Sequence, residues 1–237
     1  MVSSSGGLRS TGSGQSMIPA VSFDVAEVRA RLDLLRRLDR GLSVFGASSH
    51  QHRFARPLDE SQVETFEREH GLHLPEDYRL FLTEVGNGGA GPFYGIFALG
   101  EMDDGADTAP WTDGVLTGDL QEPFPHTSAW NLPEHRFQPP EVFDSDEAEE
   151  AWHEALDADY FDSSLMNGAI PICHHGCALR TWLVVAGPER GYLWFDGRAD
   201  HRGLSPHEDA AGQRLTFGAW YCGWLSESLA KVARPDA

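Results

Sequence analysis

The stretch from Leu74 to Leu99, LPEDYRLFLTEVGNGGAGPFYGIFAL, constrains the fold of this chain more than any other. Pro75 suits the first position of a helix, where its missing N–H costs nothing. Glu76 and Asp77 follow, and carboxylates favour the positive end of the helix dipole. Tyr78, Phe81, Leu82 and Val85 fall at i, i+3, i+4 and i+7, which makes one apolar stripe. Gly86 is placed to end the helix as its C′ residue. Asn87, Gly88, Gly89 and Gly91 come next, residues that accept backbone conformations other side chains resist. Pro92 then bars a helix from continuing. Tyr94 to Leu99 reads as a buried strand. The stretch is a helix, a glycine-rich reversal and a strand, in that order.

The order excludes a nucleotide site. Gly86, Gly88 and Gly91 fit G-x-G-x-x-G. A dinucleotide fingerprint, however, needs a strand before its glycines and a helix after them, so that the helix N-terminus faces the pyrophosphate. Here the loop leaves a helix C-terminus, which repels anions. No G-K-[ST] follows, and the single lysine is Lys231. A tight helix-to-strand connection accounts for the glycines.

Leu74-Pro75-Glu76-Asp77-Tyr78, Phe81-Leu82 and Gly86-Asn87-Gly88-Gly89-Ala90-Gly91-Pro92 together resemble the central motif of the SUKH superfamily. That superfamily includes the yeast cell-wall-synthesis regulator and many bacterial immunity proteins. The likeness runs from about Asp24 to the C-terminal helix. It implies a protein-binding domain. Within it, the resemblance points first to immunity, in which the domain occupies a toxin in the producing cell and blocks it. Many such toxins are nucleases, which tend to be basic. A regulatory scaffold that binds signalling or cell-wall-synthesis proteins is the second reading.

The charge pattern bears on the partner. Of 237 residues, 37 are acidic and 18 basic, a net of −19. Residues 101–164 hold 18 acids and one arginine, Arg136, a net of −17; the remaining 19 acids meet 17 bases, a net of −2. The frame is nearly neutral and one acidic insert carries the charge. Nucleic acid and anionic membranes are therefore poor partners. A basic protein is a good one, because such a field speeds encounter and sets specificity. The other reading is that an acidic surface serves solubility. Asp103, Asp104, Asp107, Glu147, Glu149 and Glu150 are the candidate contacts.

Other segments complete the frame. Residues 1–20 are Ser/Gly-rich without periodicity and are expected to be disordered. Residues 21–235 are expected to form one domain. Asp24 to Arg40 is a helix with Val25, Val28, Leu32 and Leu35 on its apolar stripe. His50 and His52 fall in a loop and read as surface histidines. Ser61 and Glu64 form a capping-box pattern, and Gly71 ends the second helix. A further helix from about Asp146 to Asp157 would turn Ala148, Trp152 and Ala155 inward. Ala169 to Cys173, Leu179 to Val185 and Tyr192 to Phe195 read as an antiparallel meander. Thr216 caps a last helix with Phe217, Trp220, Tyr221, Trp224 and Leu225 at helical spacing.

Two groups of residues invite a metal. Asp103-Asp104-Gly105 and Asp157-x-Asp159-x-x-Asp162 lack the calcium-loop spacing and its closing Glu. Cys173-His174-His175-Gly176-Cys177 places four potential ligands on one hairpin, where alternate side chains leave a strand on opposite faces. Zinc needs four convergent ligands, so the cysteines read as small apolar residues and the histidines as a loop tip. A metal-dependent enzyme built on these residues is the third reading. No carboxylate pair and no Ser–His–Asp or Cys–His set stands out as catalytic. Neither a disulfide scaffold nor a signal sequence is evident, and no apolar run reaches the length of a membrane span. The sequence therefore predicts a non-catalytic cytoplasmic protein without cofactor or metal. Its fold class is α+β, a mixed, mainly antiparallel sheet with helices packed mostly on one side. No feature sets the oligomeric state.

Overall fold

A computed structural model describes residues 23–104, 107–111 and 116–233, apart from the side chains of Asp104 and Asp107. The Ser/Gly-rich tail lies outside the described residues. The elements in chain order are α1 (Val25–Leu38), α2 (Ala47–His50), α3 (Glu60–His70), α4 (Glu76–Leu80), β1 (Glu101–Asp104), β2 (Asp107–Pro110), α5 (Asp146–Tyr160), β3 (Ala169–Gly176), β4 (Leu179–Val184), β5 (Leu193–Asp196), β6 (Leu204–Pro206) and α6 (Phe217–Val232). β1 and β2 make a two-stranded hairpin, and β3-β4-β5-β6 an antiparallel sheet in that order. The fold class is α+β, as the sequence predicts.

The sheet has two apolar faces because its side chains alternate. Ile170, Ile172, Leu183 and Leu193 face a core built from α1, α3, α4 and α6. Ala169, Trp182, Val184, Trp194 and Leu204 face a smaller core with Phe124 and Met166. The alternation breaks at a β-bulge between Pro171 and Cys173, so Ile172 and Cys173 both join the larger core. The helices lie mostly on that side. α5 belongs to the other, where Tyr160 stacks on Trp130, which packs against the smaller core.

The central stretch folds with several departures from expectation. α4 starts with Pro75 at its N-cap, and Phe81–Val85 continue it as a π-helical turn. Gly86 is not left-handed: its φ is 173°, extended backbone. Its glycine is required by closeness, since a Cβ there would meet the Phe54 Cβ at 2.6 Å. Gly88 combines both constraints, with φ +86° and a Cβ position 2.7 Å from the Ala98 nitrogen. Tyr94 to Leu99 forms no strand. Single bridges run instead from Phe54 to Gly89, Gly89 to Ile96 and Ile96 to Cys173 of β3. The backbone turns too sharply around Gly95 for a ladder to continue, and Tyr94 is exposed. The loop still extends the sheet edge, because Gly89 and Ile96 exchange two 2.8 Å hydrogen bonds and Phe97 donates to the Ile172 carbonyl.

The helix ends show which local signals won. The capping box of α3 uses Asp59 and Gln62 in place of Ser61 and Glu64. Both pairs fit the pattern, and the earlier one starts the helix where Leu58 can still pack inward. Gly71 ends α3 in the left-handed conformation. Asp24 caps α1 and Thr216 caps α6, each accepting from a backbone N–H three residues on.

His50 and His52 are not surface groups. His52 is buried and its Nε2 lies 2.8 Å from Asp39 Oδ2; Asp39 also accepts from the Ser43 and Val44 backbone. Burial pushes the Asp39 carboxyl up. The hydrogen bonds from His52, Ser43 and Val44 outweigh it and hold the group at about 2. The sequence gives no sign of this pairing, because its partners are 13 residues apart and join only when α1 ends.

Candidate partner-binding surface

The acidic insert is not uniform. In the β1–β2 hairpin, the side chain of Asp103 is largely buried and receives both the Nε and an Nη of Arg180 on β4, at 2.7 and 2.8 Å. This bidentate pair ties the hairpin to the sheet. Asp103 is a fastening of the fold, with its charge matched inside the molecule. Asp104 and Asp107 are paired residues of the hairpin backbone, and their side chains lie outside the described residues.

α5 is different. Ser145 caps it by accepting from the Ala148 N–H, and Asp146, Glu147 and Glu149 occupy its first turn. Part of this acidity has a local reason, since carboxylates stabilise a helix N-terminus. The Glu147 carboxyl is lowered by its own backbone N–H and by Ser145. The helix carries seven carboxylates, Asp146, Glu147, Glu149, Glu150, Glu154, Asp157 and Asp159, all exposed. Arg136 pairs with Asp159 at 2.6 Å. Thus Glu147, Glu149 and Glu150 share one exposed helix, while Asp103 faces the sheet and is not part of that surface.

α5 is held firmly from below. Its inner stripe is half-buried Trp152 with buried Leu156 and Tyr160, at i, i+4 and i+8; Ala148 and Ala155, expected inward, are exposed. Two heavy side chains four residues apart outweigh single methyl groups in choosing the inner face. The Tyr160 hydroxyl donates to Asn131 Oδ1 at 2.7 Å and accepts from the Gly203 N–H at 2.9 Å. Arg198, only 1% exposed, donates to the Tyr160 carbonyl and forms a bidentate pair with Asp196. This anchor gives the acidic helix a fixed position. It is invisible in the sequence, because Arg198 reads as one more polar loop residue.

Gly86, Asn87, Gly88, Gly89, Gly91 and Pro92 lie in one loop, and Pro75 stands apart from it at the N-cap of α4. Asn87 Oδ1 accepts from the Leu99 N–H at 2.8 Å. Tyr221 of α6 donates its hydroxyl to the Ala90 carbonyl at 2.8 Å, and the Cys173 thiol donates to the Pro92 carbonyl at 3.3 Å. The glycine loop is pinned between α6 and β3.

The cysteine–histidine hairpin does not gather ligands. Cys173 is fully buried and Cys177 sits on the exposed turn. Burial pushes the Cys173 thiol well up, away from the thiolate that nucleophilic catalysis needs. The histidines are not at a loop tip but in β3. His174 stacks on Tyr94 and Phe97. His175 stacks on Phe93 with ring centroids 3.5 Å apart. Its Nε2 and that of His207 both meet the buried Thr181 hydroxyl, at 2.8 and 3.0 Å. Burial, then the neighbouring His207 and His174, hold His175 down at about 3; burial holds His207 at about 4. Among the described residues no three His, Cys, Asp or Glu side chains converge as a metal site. Asp162, from the calcium-like pattern, caps a short turn by accepting from Ser164. No described helix is long and apolar enough to cross a membrane.

The family model described as the SMI1 / KNR4 family (SUKH-1) matches residues 57–203, from just before α3 to just before β6. No curated protein and no solved structure matches the chain. The match spans more than half of the sequence and contains the glycine loop and three strands, β3 to β5, of the sheet beside it, so this chain belongs to the SMI1 / KNR4 family (SUKH-1).

Proposed function

We propose that this chain is a protein-binding immunity domain that occupies and neutralises a cognate toxin with a basic surface. Residues 21–235 act as one domain in this reading, and the chain does no chemistry of its own. The observation that carries it is α5, a rigidly anchored helix with seven exposed carboxylates and one pairing arginine. A fixed array of like charges steers a basic partner and rejects acidic ones. The family supports a protein partner, and the charge supports its sign. Glu147, Glu149 and Glu150 are the proposed contacts. Asp104 and Asp107 remain candidates on the hairpin.

The test is to recover the protein that co-purifies with the full chain from its native cell and then to measure association kinetics. The expected partner is a single basic protein, bound one to one, whose toxic activity the chain abolishes. Replacing Glu147, Glu149 and Glu150 together by Gln should slow association several-fold without altering the melting temperature, since exposed charges contribute little to stability. Added salt should slow wild-type association in the same way. An equal removal of charge at Glu64, Glu69 and Glu76 should have a smaller effect. Equal effects from both sets would mean that only net charge acts. Several weak partners, none of them inhibited, would favour the regulatory scaffold.

A further inference from the structure

α6 carries an exposed glycine, Gly223, between Trp220 and Trp224. Glycine inside a helix costs about 1 kcal/mol relative to alanine, so its presence calls for a reason. The backbone supplies none, because the residue is helical. Packing among the described residues supplies none either, since a Cβ at Gly223 would meet none of them within 4 Å. Its effect is to deepen a groove of about 670 Å³ that runs beside α6. The wall opposite the helix comes from the chain before α2 and from the end of the glycine loop.

The groove has a firm apolar lining and an acidic rim. Val44, Phe45, Pro92, Phe93, Trp220 and Trp224 line it. Phe45 is 59% exposed, a large apolar side chain left uncovered, and it meets Phe93 and Tyr94 edge-on or tilted, with centroids 6.4 and 5.5 Å away. Phe93 rests on His175, and Trp220 on His207, at 6.0 Å. The Thr181 hydroxyl joins those two histidines, so the floor is a closed hydrogen-bonded unit. Glu208, Asp209 and Glu227 stand on the rim with a single cation, Lys231. The ammonium of Lys231 already donates to the Ser43 carbonyl at 2.9 Å, and Arg214 approaches Glu208 at 3.7 Å. Glu227 has no ion-pair partner among the described residues, and the rim is negative overall.

From the open apolar groove, its side-chain-free helix position and its negative rim, we propose that it docks a short segment of a partner protein bearing one large apolar anchor beside an arginine or lysine. The anchor lies over Gly223 between Trp220, Trp224 and Phe45, and the cation meets Glu227 and Asp209. Buried aromatic pockets with a polar rim are where binding energy concentrates. No groove residue belongs to the acidic insert, so this site is separate from α5 and stands or falls independently of the reading given to that helix.

The experiment selects short random peptides, displayed on phage, against the full chain and counter-selects against its Gly223→Gln variant. That variant fills the groove at a position where a side chain meets nothing. The expected result is enrichment of peptides with one aromatic or large aliphatic residue next to Arg or Lys. A synthetic copy of the strongest should lose at least tenfold in affinity, about 1.4 kcal/mol, for Gly223→Gln, Phe45→Ser and Glu227→Arg, none of which should lower the melting temperature. It should bind the Glu147, Glu149 and Glu150 triple variant as well as wild type, which separates this site from α5. Peptides that bind Gly223→Gln equally well, or that are acidic, would overturn the proposal. So would a wild-type dimer that Gly223→Gln dissolves, which would make a second copy the occupant. Tighter peptide binding by an Ile18→Asp variant would assign the groove to the chain's own N-terminal segment and overturn it too.

Discussion

Arg180 on β4 grips both carboxylate oxygens of Asp103 on β1, at 2.7 and 2.8 Å, with both side chains about one-tenth exposed. This one pair converts an acidic-looking hairpin into a fixed part of the fold. Removing one partner strands a buried charge, which costs about 3–5 kcal/mol, whereas removing both is far milder. Asp103→Ala should therefore lower the urea midpoint sharply, and adding Arg180→Met should restore much of it. A double variant no better than the single one would show that the pair is not coupled.

Gly88 sits at φ +86° with a Cβ position 2.7 Å from backbone. Gly88→Val meets strain and collision together and should cost a few kcal/mol. Gly86→Ala should also destabilise, through the Phe54 side chain and the Ala55 carbonyl alone, since its backbone is extended. Denaturant midpoints check both. A Gly88→Val protein that melted like wild type but lost its partner would move this loop from structure to function.

Acid should unfold this protein early. Burial holds His175 at about 3 and His207 and His50 at about 4, below the ordinary 6.5. The unfolded chain takes up these protons from pH 6.5 downward and the folded chain does not, so stability falls as pH drops through that window. At pH 5 each such group costs about 2 kcal/mol. Asp39, held at about 2 against 3.8 when free, adds a second loss as pH falls from about 4 to 2. Urea midpoints from pH 8 to pH 4 should show the first decline. His207→Gln, which keeps a group able to reach Thr181, should flatten it by about one proton. A midpoint constant from pH 7 to pH 5 would contradict the buried-neutral histidines.

Zinc should not accompany the purified protein. Cys173 points to the Pro92 carbonyl inside the core, while Cys177 is on the exposed turn. Elemental analysis of protein prepared without a histidine tag should find far less than one zinc per chain. Zinc near one per chain, lost on replacing Cys173 and Cys177 by Ser, would revive the enzyme reading.

Local chemistry determined much of this protein from sequence alone. The helix at Tyr78 to Val85, the cap at Thr216, and the β3-β4-β5 meander were legible because each depends on spacing within a few residues. The motif from Leu74 to Pro92 identified the family for the same reason. The gathering of charge into residues 101–164 was legible too, since it is simple counting. Tertiary structure decided what each charge and glycine does. Asp103 and Glu147 look alike in the sequence, but Arg180 arrives 77 residues later to bury the first and leave the second in water. Gly86 ends the helix as expected, but with extended backbone, and a side chain is barred there because Phe54 passes too near. His50 and His52 read as surface loop residues, but His52 is buried against Asp39 and burial lowers the pKa of His50, while His175, read as a loop tip, stacks on Phe93 from the glycine loop, 82 residues earlier. The groove over Gly223 exists only once the turn before α2 and the glycine loop stand opposite α6. Spacing sets what a segment can form by itself; burial and pairing depend on what the rest of the chain brings to it.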